Sequence, residues 1–256
     1  MTASGVVLYE VADGVATLTI NRPERLNAVN DEVLDGIRAA LERTDRDRDV
    51  RVLVLAASGT RAFTAGIDLA MVKEDTESFR VFVNREIAEM YSHLARLRVP
   101  VVAAVEGIAY ATGSELLFCC DIAYAGRAAR FCFPDLKLGL AVATPTWGVT
   151  DPLNRKRLAE LALTSAEFGP DDALQLGLIT RVVEEGEALA TAQATARTIA
   201  AQAPLAVEAT RAALSRARAH DWTRFMELEA PVIRSADFLE GVRAFQEKRA
   251  PRWQGR

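Results

Sequence analysis

The chain of 256 residues has only three cysteines and two histidines, and this scarcity excludes several kinds of site. Cys119 and Cys120 are adjacent and Cys132 stands apart, a spacing that fits neither a metal site nor a disulfide framework. His93 and His220 have no companion at the spacing of a metal site or a catalytic triad. We therefore expect no metal, and three buried free thiols in a reducing cytoplasm.

The sequence also lacks long apolar runs and an excess of positive charge. Glu, Gly or Asp interrupts each of the longest apolar runs before about 18 residues, so no transmembrane helix is expected. The N-terminal residues show no positive region followed by an apolar core, so we expect no secretory signal and a cytoplasmic protein. A formal net charge of −4 argues against general nucleic-acid binding.

Half of the residues are hydrophobic, which is enough for a sizeable core. In the first half, strand patterns alternate with helix patterns at a period of about 45 to 50 residues, which is typical of repeated units that stack. Such alternation predicts an α/β fold with mostly parallel strand pairing. From about Pro152 the pattern is nearly all helical, apart from a short strand at residues 179–183, and one long helix is predicted over residues 222–247.

The stretch from Pro100 to Asp121 carries the strongest local signal. Val101 to Val105 reads as a buried strand, a bend of small residues follows, and a helical pattern begins near Ser114. This arrangement directs free backbone N–H groups at one point, where a phosphate, a carboxylate or a developing oxyanion can bind. Glu115 lies on the first helical turn among apolar residues, where it is either functional or a first-turn acid that the helix dipole favours.

A second loop and a second carboxylate extend this candidate site. The loop from Phe63 to Leu69 also follows a buried strand, so its N–H groups can converge with those of the first bend. Asp135 follows Pro134 between apolar residues, and it is either a turn residue or the partner of Glu115. Two carboxylates in one closed pocket can divide acid and base roles, because their environments separate their pKa values.

Five segments, in order along the chain, resemble the crotonase (enoyl-CoA hydratase/isomerase) superfamily: NRPERLNA, AFTAGIDL, GIAYATGSELLFCCDIAYA with FCFPDLKLGL, LTSAEFGPDDALQLGLITRVVE, and FQEKRAPRW. The resemblance implies a crotonase-like spiral of repeated ββα units over residues 1–195. It also implies a helical C-terminal trimerisation region over residues 196–256, in homotrimers that often pair into hexamers. The implied substrate is an acyl-CoA thioester, so coenzyme A is part of the substrate and no further cofactor is expected.

The resemblance assigns roles to residues of the two loops. The backbone N–H groups of Ile67 and Thr112 correspond to an oxyanion hole for the thioester carbonyl, and Glu115 and Asp135 correspond to the two acid/base carboxylates. Contacts with coenzyme A are implied for Arg25, Leu26, Ala65, Ile67 and Asp68, and for Phe245 and Lys248 of a neighbouring subunit. Trp147 is expected in the acyl pocket. The alternative for Arg25, and for the basic tail from Arg243 to Arg256, is a plain solvated surface. The alternative for Trp147 is a place in the hydrophobic core.

Three departures from the family pattern are visible. The bend reads Ala111-Thr112-Gly113 where the family usually has three glycines, and a β-branched Thr112 disfavours positive φ. Asp135 is one methylene shorter than the usual Glu. Ala143 stands where the isomerases that act on dienes carry an Asp, which counts against that activity.

The leading hypothesis is an enoyl-CoA hydratase that adds water across the 2,3 double bond, because both acidic positions are occupied. A Δ3,Δ2-enoyl-CoA isomerase, or another reaction through an enolate, is the alternative that the altered bend favours. A non-catalytic acyl-CoA-binding protein is the alternative of another class, since a fold does not fix a function.

Overall fold

Two β-sheets form the framework in a computed structural model that describes residues 5–72, 76–142, 152–215 and 233–252. The larger sheet has the order β1 (Val7–Ala12), β2 (Val15–Ile20), β3 (Val52–Ala57), β5 (Val101–Val105), β7 (Ile122–Gly126) and β9 (Arg181–Val183). The smaller sheet has the order β4 (Ala62–Thr64), β6 (Ile108–Tyr110) and β8 (Arg130–Cys132). Strands β1 and β2 form an antiparallel hairpin, and the other neighbouring strands pair in parallel.

Each repeated unit contributes one strand to each sheet: β3 with β4, β5 with β6, and β7 with β8. The predicted α/β class and the stacking of repeated units are thereby confirmed. The sequence pattern did not predict β4 and β6, which lie where it indicates a loop and a bend. Strands of three residues are too short to show a period, and these two form because their neighbours in the small sheet complete their hydrogen bonds.

Helices cover the sheets and form most of the C-terminal part. They are α1 (Asp31–Arg46), α2 (Thr76–Val81), a π-helical turn (Phe82–Ile87), α3 (Ala88–Arg96), α4 (Thr112–Cys119), α5 (Pro152–Thr164), α6 (Pro170–Gln175), α7 (Ala188–Ala200), α8 (Pro204–Ser215) and α9 (Ala236–Gln246). Short 3₁₀ turns lie at Pro23–Arg25, Leu69–Met71 and Asp135–Leu138.

The helix predicted over residues 222–247 is present at Ala236–Gln246, but in the described part, from residue 233 onward, it is interrupted at Arg234 and Ser235. Helix α9 begins at Ala236, because the extended backbone of Ser235 ends any preceding turn and its Oγ accepts the Phe238 N–H at 3.1 Å. Serine at this position satisfies one of the N–H groups that a helix leaves open at its start.

The two faces of the larger sheet are covered differently. The main core packs α1, α3 and α4 against one face, with large aliphatic and aromatic residues. Helix α7 covers the other face through alanines at every fourth position, Ala188, Ala192, Ala196 and Ala200. These small side chains allow the helix to approach the strands closely. The division at residues 195 and 196, which falls within α7, stays a prediction.

All three cysteines are buried and none forms a disulfide, as the sequence predicts. Among the described helices none is both long enough and apolar enough to cross a membrane.

A buried ion pair attaches α8 to the core. Arg211 Nε donates to Asp121 Oδ2 at 2.7 Å, and Arg211 Nη2 donates to the carbonyl oxygen of Leu94 at 3.0 Å. Asp121 also accepts the Val101 N–H at 2.8 Å, at the start of a central strand. The Arg211 side chain is 4% exposed, so its charge is stabilised by these contacts rather than by water.

Replacing Arg211 is therefore expected to destabilise the fold strongly. Arg211→Met keeps the apolar stem but leaves the partly buried Asp121 carboxylate, 14% exposed, without its guanidinium, which costs up to about 3–5 kcal/mol of unfolding free energy. Urea unfolding followed by circular dichroism measures this change. The matched control is Arg46→Met, whose 79% exposed side chain pairs with Glu42 on the same helix and should change stability by less than about 0.5 kcal/mol. Equal unfolding midpoints for the two variants would contradict the assignment.

Candidate active site

A cavity of about 460 Å³ lies where the ends of the small-sheet strands meet the helix formed by residues 76–96. Seven of the residues predicted for the site line this cavity: Leu26, Ala65, Ile67, Thr112, Glu115, Asp135 and Phe245. These residues are separated by as many as 219 positions along the chain (245 − 26), and the fold brings them to one place. The remaining wall is mostly apolar.

The loop that carries Ile67 forms backbone hydrogen bonds with residues 26–29, the segment that follows β2. Val29 N–H donates to Gly66 O at 2.8 Å, and Asp68 N–H donates to Val29 O at 2.8 Å. Because successive N–H groups of an extended chain point to opposite sides, the Ile67 N–H points away from Val29. No hydrogen bond from it is found within the described residues.

Two polar side chains that the sequence analysis did not select hold this pair of segments together. Asn27 is buried with a φ of 55°, and its amide donates to Ala62 O at 2.7 Å and to Ser58 O at 3.0 Å. Arg22 Nη1 donates to Asp68 Oδ2 at 2.6 Å. Asn27, the second Asn of NRPERLNA, was the signal for this contact in the sequence, because Asn tolerates positive φ and is costly to bury without partners.

The bend at the start of α4, residues 111–113, contacts the loop that carries Ile67 so closely that glycine is required at Gly66 and Gly113. A Cβ on Gly66, whose φ is +99°, would lie 2.9 Å from the Ala111 Cβ and 3.2 Å from the Tyr110 carbonyl oxygen. A Cβ on Gly113 would lie 2.7 Å from the Thr64 carbonyl oxygen. The two loops therefore touch backbone to backbone at the cavity wall.

Positive φ in the bend falls on Ala111 and not on Thr112, whose β-branched side chain disfavours it. Ala111 has a φ of 46° and a ψ of −117°, a conformation that normally requires glycine, whereas Thr112 is the first residue of α4. Such a strained residue costs about 1–3 kcal/mol and persists only where its surroundings fix it. Here the Ala111 N–H donates to Cys132 O at 3.0 Å and its carbonyl accepts the Glu115 N–H at 3.0 Å. As the first residue of a helix, Thr112 has no intrahelical acceptor for its own N–H.

The helix over residues 76–96 forms the opposite wall with side chains at every fourth position: Phe79, Val83, Ile87 and Tyr91. In a regular α-helix four residues overshoot a full turn by about 40°, so this row would drift around the axis. The π-helical turn is wound more loosely and compensates for the drift. The four-residue repeat of these apolar and aromatic residues is the signal for this row in the sequence.

Glu115 is buried at 8% exposure and accepts a hydrogen bond from Tyr91. The Tyr91 hydroxyl donates to Glu115 Oε2 at 2.7 Å. Burial, followed by the nearby Glu115 charge, raises the pKa of Tyr91 well above its usual range, so the phenol keeps its proton. The carboxylate thus has a permanent donor, and the sequence analysis missed this tyrosine.

Asp135 begins the 3₁₀ turn on the far side of the cavity. Its Oδ2 is buried and finds no hydrogen-bond partner within the described parts of the chain. Burial raises the pKa of Asp135 well above its ordinary value, and the charge of Glu115 raises it further. The two carboxyl groups therefore differ: Glu115 has a donor, whereas Asp135 lies in surroundings that favour its protonated form.

The predicted coenzyme A contacts divide into two groups. Leu26, Ala65 and Phe245 line the cavity, and Phe245 stands at its rim with 63% exposure. Arg25, Asp68 and Lys248 do not line it. Although burial acts in the other direction, the hydrogen bond from Arg22 holds the pKa of Asp68 below its usual range. Trp147 and Ala143 lie outside the described residues.

The raised pKa of Asp135 predicts that the fold gains stability when this group is made permanently neutral. The unfolded chain ionises near its ordinary pKa of about 3.9, whereas the folded chain retains the proton to higher pH. Above about pH 4, wild-type stability therefore falls relative to Asp135→Asn by up to about 1.4 kcal/mol per pH unit, until the folded-state pKa is passed. Urea unfolding at pH 5 and pH 8 measures the difference.

The matched control is Asp35→Asn on α1, whose side chain is 75% exposed. Its effect on unfolding should not change between the two pH values by more than about 0.5 kcal/mol. If Asp135→Asn lowers stability more at pH 8 than at pH 5, the protonated assignment is wrong.

Comparison with known proteins agrees with this geometry. The family model for enoyl-CoA hydratase/isomerase matches residues 10–256. The chain is 34% identical to 1,2-epoxyphenylacetyl-CoA isomerase of Escherichia coli over 98% of both chains. It is 32% identical to short-chain-enoyl-CoA hydratase of Clostridium acetobutylicum over 95% of both chains.

The solved structure of EchA1_1 from Mycobacterium paratuberculosis superposes with a TM-score of 0.86 at 32% identity, covering 99% of this chain and all of that one. Since the family model spans nearly the whole chain and relatives above 30% identity match 95–98% of it, the chain belongs to the enoyl-CoA hydratase/isomerase, or crotonase, family.

Proposed function

We propose that the protein is an enoyl-CoA hydratase that adds water across the 2,3 double bond of a 2-enoyl-CoA thioester. The observation that supports this most directly is the pair Glu115 and Asp135 on the wall of one cavity, where Tyr91 donates a hydrogen bond to Glu115 and burial raises the pKa of Asp135. Several relatives at 32% identity, including the Clostridium acetobutylicum protein, are named as hydratases.

The oxyanion hole consists of the N–H groups of Ile67 and Thr112. They belong to two loops that touch at Gly66, and both residues line the cavity. When water adds to Cβ, the thioester carbonyl oxygen gains enolate charge, and these two donors stabilise it more strongly than the neutral carbonyl. The substrate supplies coenzyme A, so the reaction needs no further cofactor.

Glu115 acts as the base and Asp135 as the acid. Ionised Glu115 accepts a proton from water while the water oxygen bonds to Cβ, and the double-bond electrons move to the thioester oxygen as an enolate. Collapse of the enolate then takes the proton of Asp135 onto Cα. Water has added once, and the proton gained by Glu115 returns to Asp135 through solvent before the next turnover.

A Δ3,Δ2-enoyl-CoA isomerase, or another reaction through an enolate, is the second candidate, and the relative from Escherichia coli is named for a reaction other than hydration, as a 1,2-epoxyphenylacetyl-CoA isomerase. The same pair suits a double-bond shift, in which ionised Glu115 accepts the proton from C2 and protonated Asp135 donates its own proton to C4. A protein that binds acyl-CoA without turnover is the third reading, and the activity assay below separates all three.

We further propose a cytoplasmic homotrimer, alone or paired into a hexamer. Large apolar side chains are exposed on the C-terminal helices and in the segment beside the cavity: Leu163 at 72%, Leu205 at 80%, Leu214 at 64% and Phe245 at 63%. A neighbouring subunit that covers them would also place the predicted Phe245 and Lys248 near coenzyme A.

Glu115→Gln is expected to lower kcat for hydration of crotonyl-CoA by about 10²–10⁴-fold, because the base is lost while the shape of the side chain remains. Loss of enoyl absorbance measures turnover, and ligand binding by calorimetry should change little. Glu10→Gln, an exposed position on β1, is the matched control and should keep wild-type rates. Turnover of a 3-enoyl-CoA substrate tests the hypothesis of a double-bond isomerase. Full activity of both Glu115→Gln and Asp135→Asn would refute the carboxylate assignment.

Gly66→Ala is expected to disrupt the oxyanion hole, because the new Cβ must displace the bend at Ala111. Loss of one donor typically raises the barrier by about 2.7–4 kcal/mol, so kcat should fall about 10²–10³-fold. Gly177→Ala is a close control: its φ is +70° and nothing lies within 4 Å of the new Cβ, so it shares the backbone strain without the clash. Equal losses of kcat in both variants would mean that backbone strain, and not the clash with the bend at Ala111, lowers the activity.

A further inference from the structure

Tyr91 is the polar member of an otherwise apolar row on the helix that faces the cavity. Phe79, Val83 and Ile87 complete the row, and packing alone would be served by a fourth apolar residue. Tyr91 is 1% exposed, so its hydroxyl needs a partner within the protein. It finds that partner in Glu115 Oε2, at 2.7 Å.

Thr112 begins α4 beside this pair and also lines the cavity. Burial raises the pKa of Tyr91, and the Thr112 side chain acts in the opposite direction, as a hydroxyl directed at the Tyr91 oxygen would. Such a donor would direct the Tyr91 proton to Glu115, and it would link the residue proposed as an oxyanion donor to the residue proposed as the base.

We propose that Tyr91 is a positioning residue, oriented by the Thr112 hydroxyl, that fixes Glu115 as the ionised member of the Glu115/Asp135 pair. This inference rests on the acid–base function proposed above. Two nearby carboxyl groups that share one proton need an asymmetry to decide which of them keeps it. A hydrogen bond donated to Glu115 stabilises its charge, while Asp135 Oδ2 has no such donor among the described residues. Asp135 therefore keeps the proton that it later donates to Cα of the enolate.

The other titratable groups on the wall do not supply this asymmetry. Burial raises the pKa of the Cys132 thiol on β8, so that group is neutral near pH 7. Cys119, which follows Glu115 on α4, is a fully buried thiol. Lys137 and Glu167 line the cavity too, and they carry opposite charges at exposed positions where solvent screens them.

Tyr91→Phe tests the inference, because it removes the hydroxyl and keeps the ring. We expect kcat for crotonyl-CoA to fall about tenfold with KM changed less than about twofold. The acid limb of the kcat/KM profile should move to higher pH by about one to two units, since ionised Glu115 loses a charge-assisted hydrogen bond. Tyr124→Phe is the matched control: it also removes a partly buried hydrogen bond, to the Thr195 hydroxyl at 2.9 Å, but Tyr124 does not line the cavity. Its pH profile should match that of the wild type.

A second pair of variants tests the Thr112 hydroxyl without changing the tyrosine. Thr112→Val should move the acid limb in the same direction by a smaller amount, and Thr112→Ser should restore the wild-type profile. If Tyr91→Phe and Thr112→Val lower kcat with an unchanged pH profile, the positioning role is wrong even though the proposed reaction stands. If Glu115→Gln retains full turnover, the proposed acid–base function itself fails.

Discussion

The backbone contact between the two strand-end loops is the constraint on which the rest of the site depends. Gly66 and Gly113 bring the loop after β4 and the start of α4 so close that a single added Cβ would meet a carbonyl oxygen at 3.2 Å or less. Two N–H groups can converge on one oxygen only if their loops are fixed at this separation. The parallel stacking of repeated units provides it, because each unit places its short strand beside that of the previous unit.

The same closeness explains why the site contains costly features. Ala111 adopts a conformation suited to glycine, and Asp135 is buried with an unpartnered oxygen. Each feature destabilises the fold by a few kcal/mol at most. The large core on one face of the main sheet and the alanine-lined helix on the other offset such costs. The acid–base pair proposed above would require low polarity on one side and a donor on the other, and a fully satisfied site could not provide that difference.

Much of the fold could be predicted from the sequence, because its signals are local. The hairpin, the buried strands and the start of α1 at Asn30 follow from alternation, an Asp-Gly turn and a capping residue. Glu115 was identifiable as a charge in an apolar helix. Strands β4 and β6 and the π-helical turn were not, since they exist only through neighbours distant in sequence. Tyr91 was missed for the same reason: its importance depends on Glu115, which lies 24 residues away.

The replacements at Thr112 and Ala111 are best understood together. Where a glycine-rich bend would leave the backbone free to relax, Ala111 fixes it in one strained conformation, held by Cys132 and Glu115. Thr112 has a hydroxyl that a glycine would lack, and its proposed role is to orient Tyr91. The Ala111 carbonyl accepts the Glu115 N–H at 3.0 Å, so the bend is attached directly to the helix that carries this carboxylate. Rigidity at this point is consistent with a site that holds one enolate geometry, and it explains why the departure from the family pattern lies beside the carboxylate.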